Sequence, residues 1–208
     1  YLKPSQTLQP YTPTVTVIVP CYNEEKLVSQ TIESLLHQNY PRSLTTIIAV
    51  NDRSTDSTGR KLDAYATQIT VQHNPVNIGK RETITRLINQ PLKSEVVVLI
   101  DSDTQLHPEA LAEIVKPFRD PDVGGVLGDV RIRNADVNHL TRLQDALYYT
   151  GFRFIKGFEG YFRRVTCLSG VLAAYRVRLL EERIGEFENA TFMGGKYLFG
   201  DDRDLTNV

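Results

Sequence analysis

Val96-Val97-Val98-Leu99-Ile100-Asp101-Ser102-Asp103 is the stretch that decides the fold. An unbroken apolar run rich in β-branched residues reads as a strand buried on both faces, the pattern of a parallel sheet sandwiched by helices. Two carboxylates separated by one residue follow it directly. They therefore leave the sheet side by side at one rim, where open α/β sheets bind ligands. Upstream, Val15-Thr16-Val17-Ile18-Val19 is a second such strand, closed by Pro20 and followed by the polar turn Asn23-Glu24-Glu25. A helix over about 26–38 carries Val28, Ile32, Leu35 and Leu36 on one stripe. Strands are expected again over 45–50 and 69–72, with helices over 57–66 and 80–89. Strand and helix thus alternate four times, which predicts an α/β domain built on a Rossmann-like, mostly parallel sheet flanked by helices.

Beyond Asp103 the pattern changes. A helix over 108–118 and a glycine-rich strand over 123–132 precede a long amphipathic segment from Leu140 to Phe158, with Leu143, Leu147, Phe154, Ile155 and Phe158 on its apolar side. Such a segment covers a sheet or lies on a membrane surface; packing on the sheet is the expectation, since most amphipathic helices cover a core. Residues 185–200 show little periodicity.

At 208 residues and 41% hydrophobic content, the chain holds enough apolar material for one full domain. The formal net charge of -1, with cations spread along the chain, provides no broad electrostatic footprint for nucleic acid. Cys21 and Cys167 have no metal-ligand spacing and are expected to be reduced thiols of a cytosol-facing protein. No apolar run approaches the roughly 20 residues of a membrane helix. The segment itself is expected to be soluble. It opens at Tyr1 and stops in what reads as the first turn of a helix at Thr206-Asn207-Val208, so a longer parent is expected.

The chemistry-bearing residues gather at the predicted strand ends. Asp101 and Asp103 form an oxygen-rich pair suited to Mg²⁺ or Mn²⁺, hard cations that take substrate phosphates as further ligands. Asp-x-Asp after a strand also occurs in plain turns. Tyr22 and Glu24 at one strand end and Asp52 at the next make a slot for a flat base, with a carboxylate to accept a ring N–H; helix capping by Asn23 and an ordinary turn at Asp52 are the alternatives. Asn77-Ile78-Gly79-Lys80-Arg81 sets two cations behind a glycine turn, a pattern suited to phosphate or uracil-side contacts, with a solvated helix start as the alternative. Asp201-Asp202-Arg203 begins another helix, where the dipole favours ionised carboxylates. The four histidines are scattered without metal spacing.

Pro20-Cys21-Tyr22-Asn23-Glu24, Asn51-Asp52-Arg53-Ser54, Asn77 to Arg81, Asp101-Ser102-Asp103-Thr104, Cys167-Leu168-Ser169-Gly170 and Gly200-Asp201-Asp202-Arg203 come in the order found in processive family-two glycosyltransferases. The chain resembles hyaluronan synthases most, with chitin, cellulose and nodulation chitooligosaccharide synthases as relatives. The resemblance implies a GT-A fold over residues 15–208, truncated at its C-terminal end, with residues 1–14 as an extension. It implies an inverting transfer from a UDP-sugar to a growing glycan acceptor. Tyr22, Glu24 and Asp52 would hold the uracil end, with Lys80 and Arg81 near the nucleotide. Asp101 would contact nucleotide or metal, and Asp103 would ligate Mn²⁺ or Mg²⁺. Cys167, Ser169 and Gly170 would line the acceptor terminus, together with Asp201 and Arg203, and Asp202 would be the general base. The parent would sit at the cytosolic face of the plasma membrane, attached through parts outside this chain. Asn51 stands where many relatives have a second acid, Val171 where hyaluronan synthases usually have proline, and the chain has no tryptophan for a Gln-x-x-Arg-Trp element. A non-processive transferase acting on a lipid or glycan, and a silent UDP-sugar-binding module, are the rival expectations.

Overall fold

Alternate residues of the two central strands face opposite helical layers. The computed structural model of the chain describes residues 11–189, 191–192, 195–196 and 201–207. In β1 (Val15–Cys21) and β4 (Val96–Ile100), Val15, Val17, Val19, Val96, Val98 and Ile100 pack towards α1 (Val28–Leu36) and α4 (Ala110–Val115). Ile18, Val97 and Leu99 pack towards α3 (Gly79–Ile88) and α7 (Val177–Glu188). Each such side chain, fully buried, contributes about 1.5–3 kcal/mol. This is why these strands read as continuous apolar runs.

With β2 (Thr45–Asn51), β3 (Thr70–His73), β5 (Gly125–Leu127) and β6 (Leu172–Arg176), the sheet has the order β3-β2-β1-β4-β6-β5. β1 to β4 are mutually parallel as expected. β6 runs antiparallel to β4, and β5 antiparallel to β6. The chain winds outward from β1 through β2 to β3 and then returns to place β4 on β1's other side. The crevice beyond the carboxyl ends of β1 and β4 is therefore the topological switch point. Cys21 to Glu24 and Asp101 to Asp103 emerge there.

Two expectations are revised, and one strand was not read from the sequence. Leu172-Ala173-Ala174-Tyr175-Arg176 lacks β-branched residues, and its pairing with β4 on one side and β5 on the other overrides local preference. The strand expected over 123–132 shortens to Gly125–Leu127. The amphipathic segment forms α5 (His139–Tyr149), a π-helical stretch over Thr150–Ile155 and α6 (Lys156–Tyr161), and it does not cover the sheet. Leu143, Phe154 and Phe158 are 59%, 75% and 66% exposed. β5 is the edge strand and only three residues long, so little sheet surface lies there to be covered. α5 is specified locally instead, by a capping box in which the Asn138 side chain accepts from Thr141 N and the Thr141 hydroxyl accepts from Asn138 N.

α2 (Thr58–Asp63) follows β2, and α8 (Asp201–Asn207) closes the described chain. Within the segment expected to be irregular, α7 takes residues up to Glu188, Thr191–Phe192 pairs with Gly195–Lys196, and residues 190, 193–194 and 197–200 lie outside the described residues. Of the expected extension, residues 1–10 lie outside them too. Residues 11–14 belong to the domain: Thr14 O accepts from Glu95 N and Val96 N at 3.1 Å, and the Tyr40 hydroxyl donates to Pro13 O at 2.5 Å. Among the described residues no helix is long and apolar enough to cross a membrane.

Candidate active site

Two loops form the first wall of the crevice and brace each other. After β1, Asn23 takes a left-handed conformation (φ 54°) and caps no helix; its Oδ1 accepts from Thr55 N at 2.8 Å, while its own N–H donates to Ser54 Oγ at 3.0 Å. Glu24 N donates to Thr58 Oγ1 at 2.8 Å, and Glu25 N to Asp56 Oδ2 at 3.1 Å. Ser57 returns a hydroxyl bond to Glu25 Oε2 at 2.7 Å. Behind the end of β4, Thr31 Oγ1 of α1 donates to Ser102 O at 2.8 Å and fixes the Asp101–Asp103 turn. Tyr22, Glu24, Asp52, Lys80, Asp101 and Asp103 line a cavity of about 310 Å³ between these elements. A cavity of this size suits part of a small ligand.

Asp52 is buried, and its carboxylate is already engaged. Oδ1 accepts from Asn74 Nδ2 at 2.8 Å and from Ile78 N at 2.9 Å, and Oδ2 accepts from Gly79 N at 2.7 Å. An anion placed on the free N–H groups of a helix start is stabilised by them and by the helix dipole. Asp52 thereby fixes the entry to α3, where Gly79 has φ 84°, a conformation that a residue with a Cβ adopts only with strain. Asn51 turns away from the cavity, its Nδ2 towards His73 Nδ1 at 3.0 Å and its Oδ1 accepting from Ser54 N at 3.0 Å.

The α3 entry sends its two cations in different directions. Lys80 Nζ reaches Asp101 Oδ1 at 2.6 Å. Arg81, expected beside the nucleotide, instead ties α3 to the neighbouring helices: Nη1 donates to Phe187 O at 3.0 Å, Nη2 pairs with Asp204, and the guanidinium lies 4.6 Å from the Phe187 ring centroid. It does not line the cavity.

The carboxylates are crowded. Burial raises the pKa of Glu24, and Asp103, Asp56 and Asp101 raise it further. Burial likewise pushes Asp101 up; Lys80 pulls it down, Asp202 and Asp103 push it up, and the net shift is upward. Negative charge in excess of local compensation is what a divalent cation would relieve. Among the described residues, no three His, Cys, Asp or Glu side chains converge tightly enough to hold a metal unaided. Two carboxylates plus ligands from outside the protein fit the habit of Mg²⁺ and Mn²⁺.

Of the acceptor-side residues, Gly170 reaches the edge of the same crevice. A Cβ built on Gly170 would overlap Asp202 Oδ1 and lie 2.7 Å from Lys80 Nζ, so the carboxylate of α8 and the ammonium of α3 converge above this glycine. Asp202 also acts on Cys167, whose pKa is raised by burial first and by Asp202 second, with Lys156 and Arg203 opposing. Ser169 lies between Cys167 and Gly170, and Leu168 N donates to Thr206 Oγ1 at 2.8 Å, which ties this stretch to α8. Arg203 is exposed, and the side chain of Asp201 lies outside the described residues. The Cys21 thiol is buried beneath the cavity, pushed up to about 12 by burial and by Glu24, and is a packing residue.

Thr58, Asn74 and Thr31 hold the loops in place, yet nothing in their sequence context singled them out; their partners are 34, 22 and 71 residues away. A larger groove of about 1540 Å³ lies between the sheet edge at β5 and the α5–α6 arm, and it contains none of the predicted carboxylates.

Residues 16–184 match the sequence profile of the family described as glycosyl transferase family 2. The chain is 31% identical over 207 residues to a hyaluronan synthase of Streptococcus pyogenes, covering 96% of this chain and 49% of that protein. It is 33% identical over 203 residues to an N-acetylglucosaminyltransferase of Azorhizobium caulinodans, covering 95% and 50%. Among solved structures, a mannosyltransferase from Pyrobaculum calidifontis in complex with GDP-Man and Mn²⁺ superposes with a TM-score of 0.71 at 28% identity, covering 99% of this chain and 55% of that one. The chain spans about half the length of these relatives.

Proposed function

The chain belongs to glycosyl transferase family 2 and is a glycosyltransferase of the GT-A fold, and from there we propose that it is the catalytic core of an inverting, metal-dependent polysaccharide synthase that takes a UDP-sugar donor and extends a glycan. The observation that carries this reading is the convergence of Lys80 and Asp202 above Gly170, with Asp101 paired to the Lys80 ammonium, at the edge of the cavity lined by Tyr22, Glu24 and Asp103. A donor-side cavity and a carboxylate seated against a glycine at its edge are the two parts a direct displacement needs.

In this reading Tyr22, half exposed at the cavity mouth, stacks on the uracil. Asp52 shapes the wall through the α3 entry and keeps one lone pair of Oδ2 for a ring N–H. Asp103 and Asp101 would hold Mn²⁺ or Mg²⁺, which would neutralise charge developing on the leaving diphosphate. The acceptor hydroxyl would approach Asp202 along the stretch lined by Cys167, Ser169 and Gly170. Asp202 takes its proton as the hydroxyl oxygen bonds to the anomeric carbon, and the bond from that carbon to the diphosphate oxygen breaks on the opposite face. One base suffices, and the anomeric configuration inverts.

The exposed arm supports work at a membrane. Leu140, Leu143, Leu147, Phe154, Ile155, Phe158, Tyr161 and Phe162 are all uncovered. Residues 139–164 carry five Lys or Arg against two acids in a chain of net charge -1, which is the composition of a surface that meets anionic lipid. Kinship to hyaluronan synthase favours a polymerising parent; a non-processive transferase remains the second reading on the strength of the mannosyltransferase likeness.

The test is Asp202→Asn. UDP binding is expected to persist while sugar transfer by the full-length parent falls at least about a thousandfold. Full activity in that variant sinks the assignment of Asp202 as base.

A further inference from the structure

Lys80 stands in an unusual place for a nucleotide-binding cation. Its Nζ is 2.6 Å from Asp101 Oδ1 and shares the space above Gly170 with Asp202 Oδ1. It also lines the same cavity as Glu24 and Asp103. The carboxylates that would hold a divalent ion are thus already served by a positive charge that the protein itself supplies. The side chain is one third exposed and rises from the second residue of α3, on an entry fixed by Asp52. The backbone end is pinned and the ammonium is carried on a four-carbon stem with several rotatable bonds, so a change of rotamer can move it from Asp101 to a phosphate oxygen without rebuilding the site.

We propose that Lys80 is the site's own cation: it competes with the divalent ion for Asp101, keeps metal affinity low, and yields its place when a nucleoside diphosphate supplies oxygens for both. Metal and nucleotide then enter as a coupled pair. The diphosphate adds ligands for the metal and a new anionic partner for the ammonium, so each improves the other's binding. The inference rests on the reading of Asp101 and Asp103 as metal ligands, and it assigns Lys80 a positioning role opposite in sign to that of a simple phosphate contact. Removing a simple phosphate contact weakens the nucleotide and leaves the metal alone. Removing a competitor strengthens the metal.

The experiment measures Mn²⁺ binding by electron paramagnetic resonance at neutral pH, with and without UDP, on the wild-type chain and on Lys80→Met, Lys80→Gln and Lys80→Arg. Thermal melts establish that each variant is folded. A unit charge removed from beside a divalent site is worth about tenfold or more in affinity. Nucleotide-free Mn²⁺ binding is therefore expected to tighten by that factor in Lys80→Met and in Lys80→Gln. It should stay near wild type in Lys80→Arg, and the enhancement of Mn²⁺ binding by UDP should shrink in both neutral variants. If the wild type takes up Mn²⁺ in the presence of UDP but the neutral variants bind nucleotide-free Mn²⁺ no more tightly, Lys80 is not the competitor, and the inference fails while the site reading stands. If neither wild type nor variants take up Mn²⁺ under any condition, the metal site itself is refuted and the inference goes with it.

Discussion

Gly170→Ala is expected to separate folding from chemistry. The added methyl carbon would overlap Asp202 Oδ1, with Lys80 Nζ at 2.7 Å and Asp202 Cγ at 3.1 Å. Both intruders are ends of flexible side chains, so the backbone need not move and stability should change by less than about 0.5 kcal/mol. For a chain of this length that is a melting shift below about 2 °C. Restoring ordinary carbon–oxygen contact, however, drives the carboxylate back by about 1 Å. A displacement of that size costs about a hundredfold when the group must meet a reacting atom, or about 2.7 kcal/mol in the barrier. The assay is UDP release from UDP-glucose, UDP-N-acetylglucosamine and UDP-glucuronic acid, run beside a calorimetric UDP titration and a thermal melt. The expected result is release about a hundredfold slower, with UDP affinity within about threefold of wild type and the melt unmoved. Release at the wild-type rate refutes the placement of Asp202 as the base over Gly170. A collapsed melt refutes the view that only side-chain tips meet there.

Asp52→Ala strips three accepted hydrogen bonds from a buried anion and should cost about 3–5 kcal/mol of stability, seen as a denaturation midpoint far below wild type; an unchanged midpoint with lost UDP binding would make Asp52 a base contact alone. Glu24 and Asp101 have raised pKa values in the folded chain, so the native state binds more protons than the unfolded one above the ordinary carboxylate range and loses stability as pH climbs through that window. Asp103→Asn, which removes one of the repelling charges, should therefore melt higher than wild type at neutral pH, with the difference closing as pH falls towards about 4; a lower melt contradicts the crowding. Phe154→Asp combined with Phe158→Asp alters side chains that are 75% and 66% exposed. It should leave the melt within about 2 °C while abolishing co-flotation with phosphatidylglycerol vesicles, and retained flotation would remove the arm from the membrane contact.

Much of this was legible from local chemistry. Val15 to Val19 and Val96 to Ile100 are buried on both faces, so nothing but a covered central strand fits them, and the acids that follow had to emerge at the same rim. β6 was illegible because Ala173 and Ala174 carry no strand preference; its backbone pairing with β4 and β5 makes it a strand. The α5–α6 arm misled because periodicity reports an apolar stripe and not what covers it. Asp52 read as a ligand contact, whereas its partners at Asn74, Ile78 and Gly79 are set by tertiary closure more than twenty residues on. Arg81 beside Lys80 looked like a second phosphate cation. Successive helical residues point a hundred degrees apart, however, and Arg81 is directed to Phe187 and Asp204.

The central claim is that the crevice at the ends of β1 and β4 is a metal-assisted nucleotide site. Its most direct test is a calorimetric titration of this chain with UDP in Mn²⁺ and again in chelator, with GDP as the comparison base and Asp103→Ala as the control. The account predicts saturable UDP binding in Mn²⁺ that is weakened in chelator, lost in Asp103→Ala, and not matched by GDP. A folded chain that takes up no UDP in either buffer would contradict it.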